Sequence, residues 1–191
     1  GAALQAEFIT NNPNPLGQKE KMVRPQGNYA YAQAHGLYHP SLERAQKLFG
    51  YYDIFLIDTE TDNVVYTVFK ELDFGSTLKG GGIAAGTKLA EAYNKVKQAA
   101  NRDATYLSDF APYLASYDDL AAFAAAPIFD GDRQIGVIAM QYPIDKITDV
   151  LSSNKDWEKI GLGKSGDMYL VGPDKLMRTN ARYLIENKDA F

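Results

Sequence analysis

The chain of 191 residues contains no cysteine. A disulfide framework and thiolate metal sites are thereby excluded. Histidine is nearly absent too, with two copies, His35 and His39. No Lys/Arg-rich block occurs, and the formal net charge is −4. The basic footprint of a nucleic-acid binder is missing, as is a surface that clings to anionic lipid. No apolar run approaches the ~18 residues that span a bilayer, and no signal peptide is visible. If the chain comes from a membrane protein, it is expected to be a segment lying between spans.

What is present is aromatic and apolar. Thirteen Tyr and nine Phe suit strands and pocket walls, and the 46% apolar content supplies a core.

The order of elements follows from pattern. Gly1 to Thr10 reads as the end of a helix, and Asn11 to Gly17 is a breaker-rich loop. A helix is expected from about residue 25 to His39, and a new one from Pro40, ended by Gly50. Residues 52–58 and 64–69 read as an antiparallel hairpin around Thr59 to Asn63. A helix carries Leu89, Ala92, Tyr93 and Val96 at 3–4 spacing. Residues 106–110, 121–129 and 134–142 are three further strands, with a tight turn at Asp130-Gly131-Asp132. Ile144, Ile147, Val150 and Leu151 mark a helix leading away. Residues 166–178 read as strand, turn, strand: the start of a second sheet.

The implied class is α+β. An N-terminal helical segment packs on a PAS-like antiparallel sheet of five strands, with the start of a second module at the C-terminus. The expected divisions are residues 1–50, helical; 51–150, the sheet module; and 151–191, a connecting helix and a partial β segment.

Motifs that suggest enzymes fail on context. Gly161-Leu162-Gly163-Lys164-Ser165-Gly166 matches a dinucleotide loop by letter, but it follows a helix and opens a strand. Gly163-Lys164-Ser165 mimics the end of a P-loop, yet Glu158 stands where its first glycine belongs. His35, His39 and Glu43 lie four apart, as zinc ligands on one helix do, but Pro40 disfavours helix at His39. No GxSxG elbow accompanies a histidine. No cofactor, metal or catalytic set is expected, and a hydrolase is the least favoured reading.

The segment Asp109 to Asp119 mixes aromatic rings, hydroxyls and carboxylates between two strands, the composition of a small-molecule pocket rim. Gln141 is a polar amide inside an apolar strand, so it needs a partner in the protein or in a ligand. Ala121 to Ala126 keep the neighbouring strand thin. The expected ligand-binding residues are Tyr66, Asp109, Tyr113, Tyr117, Asp118, Phe123, Ala125 and Gln141. Tyr113 and Tyr117 supply walls and hydroxyls, Asp109 or Asp118 meets a donor, and Gln141 fixes orientation.

Four segments carry a family likeness: Phe8 to Pro13, Tyr51 to Asp58, Phe69 to Gly75, and Ala126 to Asp130. Together they resemble the sensor regions of methyl-accepting chemotaxis proteins and related sensor kinases, built from Cache-type domains related to PAS. The tail from Gly166 to Arg178 resembles the opening of a membrane-proximal second module. The resemblance implies an extracytoplasmic, periplasmic portion of an inner-membrane receptor and a homodimer through N-terminal helices. It also implies a small polar ligand on the concave face of the sheet. Amino-acid-sensing relatives carry an Asp on the last strand where Gln141 stands, and an Arg-and-Trp motif that is missing here. Alternatives are the sensor of a histidine kinase, or a dimerisation module that binds no ligand.

Overall fold

The structure is a computed structural model and describes residues 1–99 and 101–190. Two compact units divide the chain, residues 1–142 and 143–191.

In the first unit, α1 (Ala2–Gln5) runs into a π-helical turn, Ala6–Thr10. The loop beyond it is organised by buried Asn12. Its amide donates to the carbonyls of Phe8 (2.9 Å) and Lys19 (3.0 Å), and its oxygen accepts from the Asn14 amide. Helix α2 (Ala30–Phe49) follows and is continuous through Pro40, so the expected break there is corrected. Its buried residues Ala32, His35, His39 and Gln46 hold it against the rest of the unit. That packing outweighs the roughly 3 kcal/mol cost of an interior proline. Gly50, at φ 71°, caps the helix in the left-handed region.

The sheet contains six strands: β1 (Asp53–Asp58), β2 (Val64–Thr67), β3 (Tyr106–Leu107), β4 (Ala111–Tyr113), β5 (Asp119–Asp130) and β6 (Arg133–Pro143). Five lie along the path β2-β1-β6-β5-β3, and short β4 also pairs with β5. The pairings of β1 with β2 and β6, and of β5 with β3 and β4, are antiparallel. The expected sheet is thus present, with one short strand added at Ala111–Tyr113.

Each strand divides its side chains between two faces. Phe55, Ile57, Phe123, Ala125, Val137 and Ala139 pack with α3 (Lys88–Gln98) in the main core. Ile54, Tyr66 and Val68 form a second cluster, with Leu42 and Ala45 of α2 against it. Helix α3 begins where Thr87 accepts from the Ala90 amide, and Leu89, Ala92, Tyr93 and Val96 are its buried stripe. Its far end is tied to the β1–β2 turn: Asp62 accepts from the Tyr93 hydroxyl and from Lys97 (2.6 Å).

The second unit holds α4 (Ile144–Leu151) and α5 (Arg182–Glu186). The expected strand-turn-strand at residues 166–178 reduces to one isolated bridge, Val171 with Met177. The Arg182 guanidinium sits over the Trp157 ring at 4.6 Å.

Tyr93→Phe keeps the ring and removes the hydroxyl that meets Asp62. It is expected to cost about 1 kcal/mol in urea unfolding. An unchanged midpoint would show that Lys97 and Lys79, which also pairs with Asp62, satisfy that carboxylate without the hydroxyl.

Candidate functional site

The site is built where β1 begins and β6 ends. Asp53 opens β1 with the parity of Phe55 and Ile57, so it faces the α3 side, and its Cα pairs with that of Gln141. Asp53 is fully buried. Its Oδ1 accepts from the amides of Ile54 (2.7 Å), Val68 (2.8 Å) and Phe69 (3.2 Å). Its Oδ2 is buried without a hydrogen-bond partner among the described residues.

The loop after β2 returns two more carboxylates. Asp73 is also fully buried, and its Oδ2 accepts from the Tyr113 hydroxyl at 2.8 Å. Its Oδ1 has no hydrogen-bond partner among the described residues. Glu71 accepts from the Tyr52 hydroxyl (2.8 Å) and from Ser116 (3.2 Å). Ser116 in turn accepts from the Gln141 amide at 3.0 Å, and Gln141 Oε1 is buried without a partner among the described residues. Three buried acceptors in this region therefore have no hydrogen-bond partner among the described residues, an arrangement that costs free energy unless something supplies protons or hydrogen bonds.

The titration behaviour follows from that geometry. Burial, reinforced by the Asp73 charge, raises Asp53 well above the usual carboxylate range. Burial raises Asp73 to about 6, only partly offset by the Tyr113 hydroxyl and nearby amides. Burial likewise lifts Glu71 to about 7, against the hydrogen bond from Tyr52.

Lys70 stands beside these acids, with φ 58° and a fully buried side chain. Its amide donates to Thr67 Oγ1 (2.7 Å), and its ammonium donates to the Val68 carbonyl (3.0 Å), 3.5 Å from His39 Nε2. Burial lowers its pKa to about 7.

A pocket of about 580 Å³ opens over this cluster, with Lys70, Glu71 and Ala115 in its wall and Tyr117 and Asp118 at its rim. The volume suits a small molecule. A second hollow of about 680 Å³ lies on the α2 side and is almost wholly apolar. A third, of about 770 Å³, lies among the loops of residues 7–26.

The sequence-predicted residues separate into groups. Tyr113 and Gln141 lie in the acid cluster. Phe123 and Ala125 are buried in the core of the same face, and Phe123 meets Tyr113 edge-on at 5.0 Å. Tyr117 and Asp118 are exposed, in consecutive left-handed conformations at φ 58° and 62°. Asp109 is half-buried, and its Oδ1 accepts from the Phe110 amide. Tyr66 is on the other face. The bulge between Leu56 and Ile57 leaves Val64 in the α3 core but turns Tyr66 toward α2, where its hydroxyl lies 2.6 Å from His39 Nδ1.

Sequence reasoning missed Asp53, Glu71, Asp73 and Ser116. An acid on the parity of Phe55 and Ile57 was a usable signal for Asp53; the loop residues carry no periodicity. The histidines are held by the protein itself. His35 and His39 stack at 4.6 Å, each with a ring nitrogen on a backbone carbonyl, Val23 and Glu20. Burial lowers them to about 3 and about 4. No metal-holding cluster of three His, Cys, Asp or Glu occurs among the described residues.

Glu71 generates a pH prediction. Its folded-state pKa is raised, so its contribution to stability is present below about 4.5 and lost as pH rises through about 7. Glu71→Gln is permanently neutral. Its Tm relative to the unsubstituted chain is expected to climb by roughly 5 °C from pH ~5 to ~8. A constant difference across that range would mean the carboxylate is solvated in the folded state.

Comparison with known proteins finds no matching family profile and no matching curated sequence. Solved structures do match. The ligand-binding domain of Campylobacter jejuni chemoreceptor Tlp3, in complex with 4-methylisoleucine, has a TM-score of 0.50 at 12% identity. That match covers 98% of this chain and 60% of the other. The ligand-binding domain of Pseudomonas fluorescens chemoreceptor CtaA with L-serine gives 0.46 at 15% identity, over 92% and 59%. The sensor domain of the Vibrio cholerae histidine kinase DctB gives 0.46 at 14%, over 76% and 49%. The chain thus spans about half to three-fifths of the domains it matches. No helix among the described residues is long and apolar enough to cross a membrane. With a helix on each side of a curled antiparallel sheet, the chain has the fold of a Cache-type, PAS-like sensor domain.

Proposed function

We propose that this chain is the extracytoplasmic ligand-sensing part of a transmembrane chemotaxis receptor, binding a small polar molecule on the α3 face of its sheet. One observation carries the reading. Asp53 Oδ2, Asp73 Oδ1 and Gln141 Oε1 are buried acceptors without partners, in a cluster that an open pocket reaches at Glu71. Single buried atoms without partners occur elsewhere in the chain, but three acceptors gathered in one cluster fit a binding site better than a structural core. The fold of the Tlp3 domain supports the same reading.

In this reading residues 51–150 form the sensing module, 1–50 its helical support and homodimer contact, and 151–191 the opening of a membrane-proximal module. The site binds without reacting. The carboxylates have no histidine beside them, since both rings lie on the α2 side against carbonyls and Tyr66. Ligand shifts an existing equilibrium between two arrangements of the receptor, by as much as its affinity for them differs.

A thermal-shift screen of amines, amino acids, carboxylates, sugars and purines tests this. At least one class is expected to raise Tm by several degrees. Tyr113→Phe combined with Gln141→Ala is expected to remove most of that rise. A hit whose shift survives the double substitution places binding elsewhere; a flat screen favours a module that signals through its dimer contacts alone.

A further inference from the structure

Helix α2 does not close down on the sheet along its whole length. Between them lies the apolar hollow of about 680 Å³, walled by Leu42 of α2, Leu56 of β1, Val65 of β2, Ile128 of β5 and Ile135 of β6. Leu42, Leu56, Val65 and Ile128 are only half-buried, and Ile135 is 36% exposed. One patch of apolar surface, drawn from four strands and a helix, thus stays in water, and filling it is favourable by the area removed. The volume is that of a small-molecule site.

The polar groups in the depth of the wall are nearly all used. The Tyr31 hydroxyl donates to the Val65 carbonyl at 2.7 Å. A carbonyl only accepts, so the His39 nitrogen on the Glu20 carbonyl, Nε2, carries the ring proton. His39 Nδ1 therefore accepts, and the Tyr66 hydroxyl donates to it. The same reasoning puts the His35 proton on Nδ1, 2.7 Å from the Val23 carbonyl, and leaves Nε2 an acceptor. The two nitrogens of an imidazole point apart, so Nε2 is turned from the loop that holds Nδ1. It is buried without a hydrogen-bond partner among the described residues, and its ring is part of the hollow's wall. Burial, and then the Lys70 charge, lower the pKa of His35 to about 3, so Nε2 stays an acceptor at neutral pH. No lysine or arginine among the described residues lines the hollow, so nothing there would pair with an anion.

We propose that this hollow is a second binding site, for a compact apolar molecule with one N–H or O–H donor, an indole or a phenol, whose donor meets His35 Nε2. The Tyr31 and Tyr66 rings supply aromatic wall for such a body. The site is independent of the acid cluster, which lies on the other face of the sheet.

Titration calorimetry of the full chain at neutral pH tests this. It compares indole with benzofuran, in which oxygen replaces the N–H, and 4-methylphenol with 1,4-dimethylbenzene. 4-Methylbenzoate is the anionic control. Indole and 4-methylphenol are expected to bind, with their donor-free counterparts roughly fivefold or more weaker and the benzoate weaker still. Ala34 is an exposed residue of α2 in the wall of the hollow. Ala34→Trp fills the space from outside the core and is expected to abolish binding with an unchanged circular dichroism spectrum. His35→Phe is expected to bring indole and benzofuran to equal affinity, whereas a histidine that only shapes the wall would change both alike. Should His35→Phe not fold, the indole preference of the unsubstituted chain and the Ala34→Trp result still decide. Benzofuran binding as tightly as indole overturns the proposal. So does an indole preference that survives His35→Phe, binding that survives Ala34→Trp, or no binding by any of these compounds. If Ala34→Trp instead dissociates a dimer in sedimentation and leaves indole affinity unchanged, the hollow is a contact between copies of the chain and the proposal falls.

Discussion

The fold around the site depends on one buried carboxylate. Asp53 Oδ1 collects three backbone N–H groups, one from its own strand and two from the segment that leaves β2. Without it, the amides of Val68 and Phe69 would be buried and unmade, and the loop that returns Glu71 and Asp73 would have no fixed origin. A carboxylate there is costly, because burial disfavours its charge. The amides offset part of that cost on one oxygen only. The other oxygen is left in the low dielectric without a partner among the described residues, so a structural residue also carries an open acceptor.

Much of the frame was legible in the sequence because burial imposes periodicity. The stripe Leu89, Ala92, Tyr93 and Val96 gave α3, and the apolar run around Gln141 gave β6. Gln141 stood out as an amide in an apolar run, and the structure pairs it with Ser116. Pro40 misled. Local preference favours a break there, but four buried side chains along one continuous helix decide otherwise. The tail misled in the opposite direction, since β-forming residues 166–178 lack partner strands and keep a single bridge.

The site was less legible for two physical reasons. A bulge moves a side chain across the sheet, and no sequence pattern announced the one at Leu56/Ile57 that carries Tyr66 to the α2 side. The acids of the loop between β2 and α3 answer to no period. Their burial comes from tertiary contacts such as Tyr113 on Asp73 and Tyr52 on Glu71, between residues 40 and 19 positions apart. Asp53 was different. Its place on the parity of Phe55 and Ile57 already implied a buried acid.

The segment Val68 to Lys70 belongs to both faces of the sheet at once. Its amides are held by Asp53 on the α3 side, the Val68 side chain packs in the α2 cluster, and the Lys70 ammonium lies next to His39 of α2. Three residues thus act as a fulcrum rather than a wall. Neither compartment can relax there by itself, and a long helix with no direct view of the acids still shares a hinge with them.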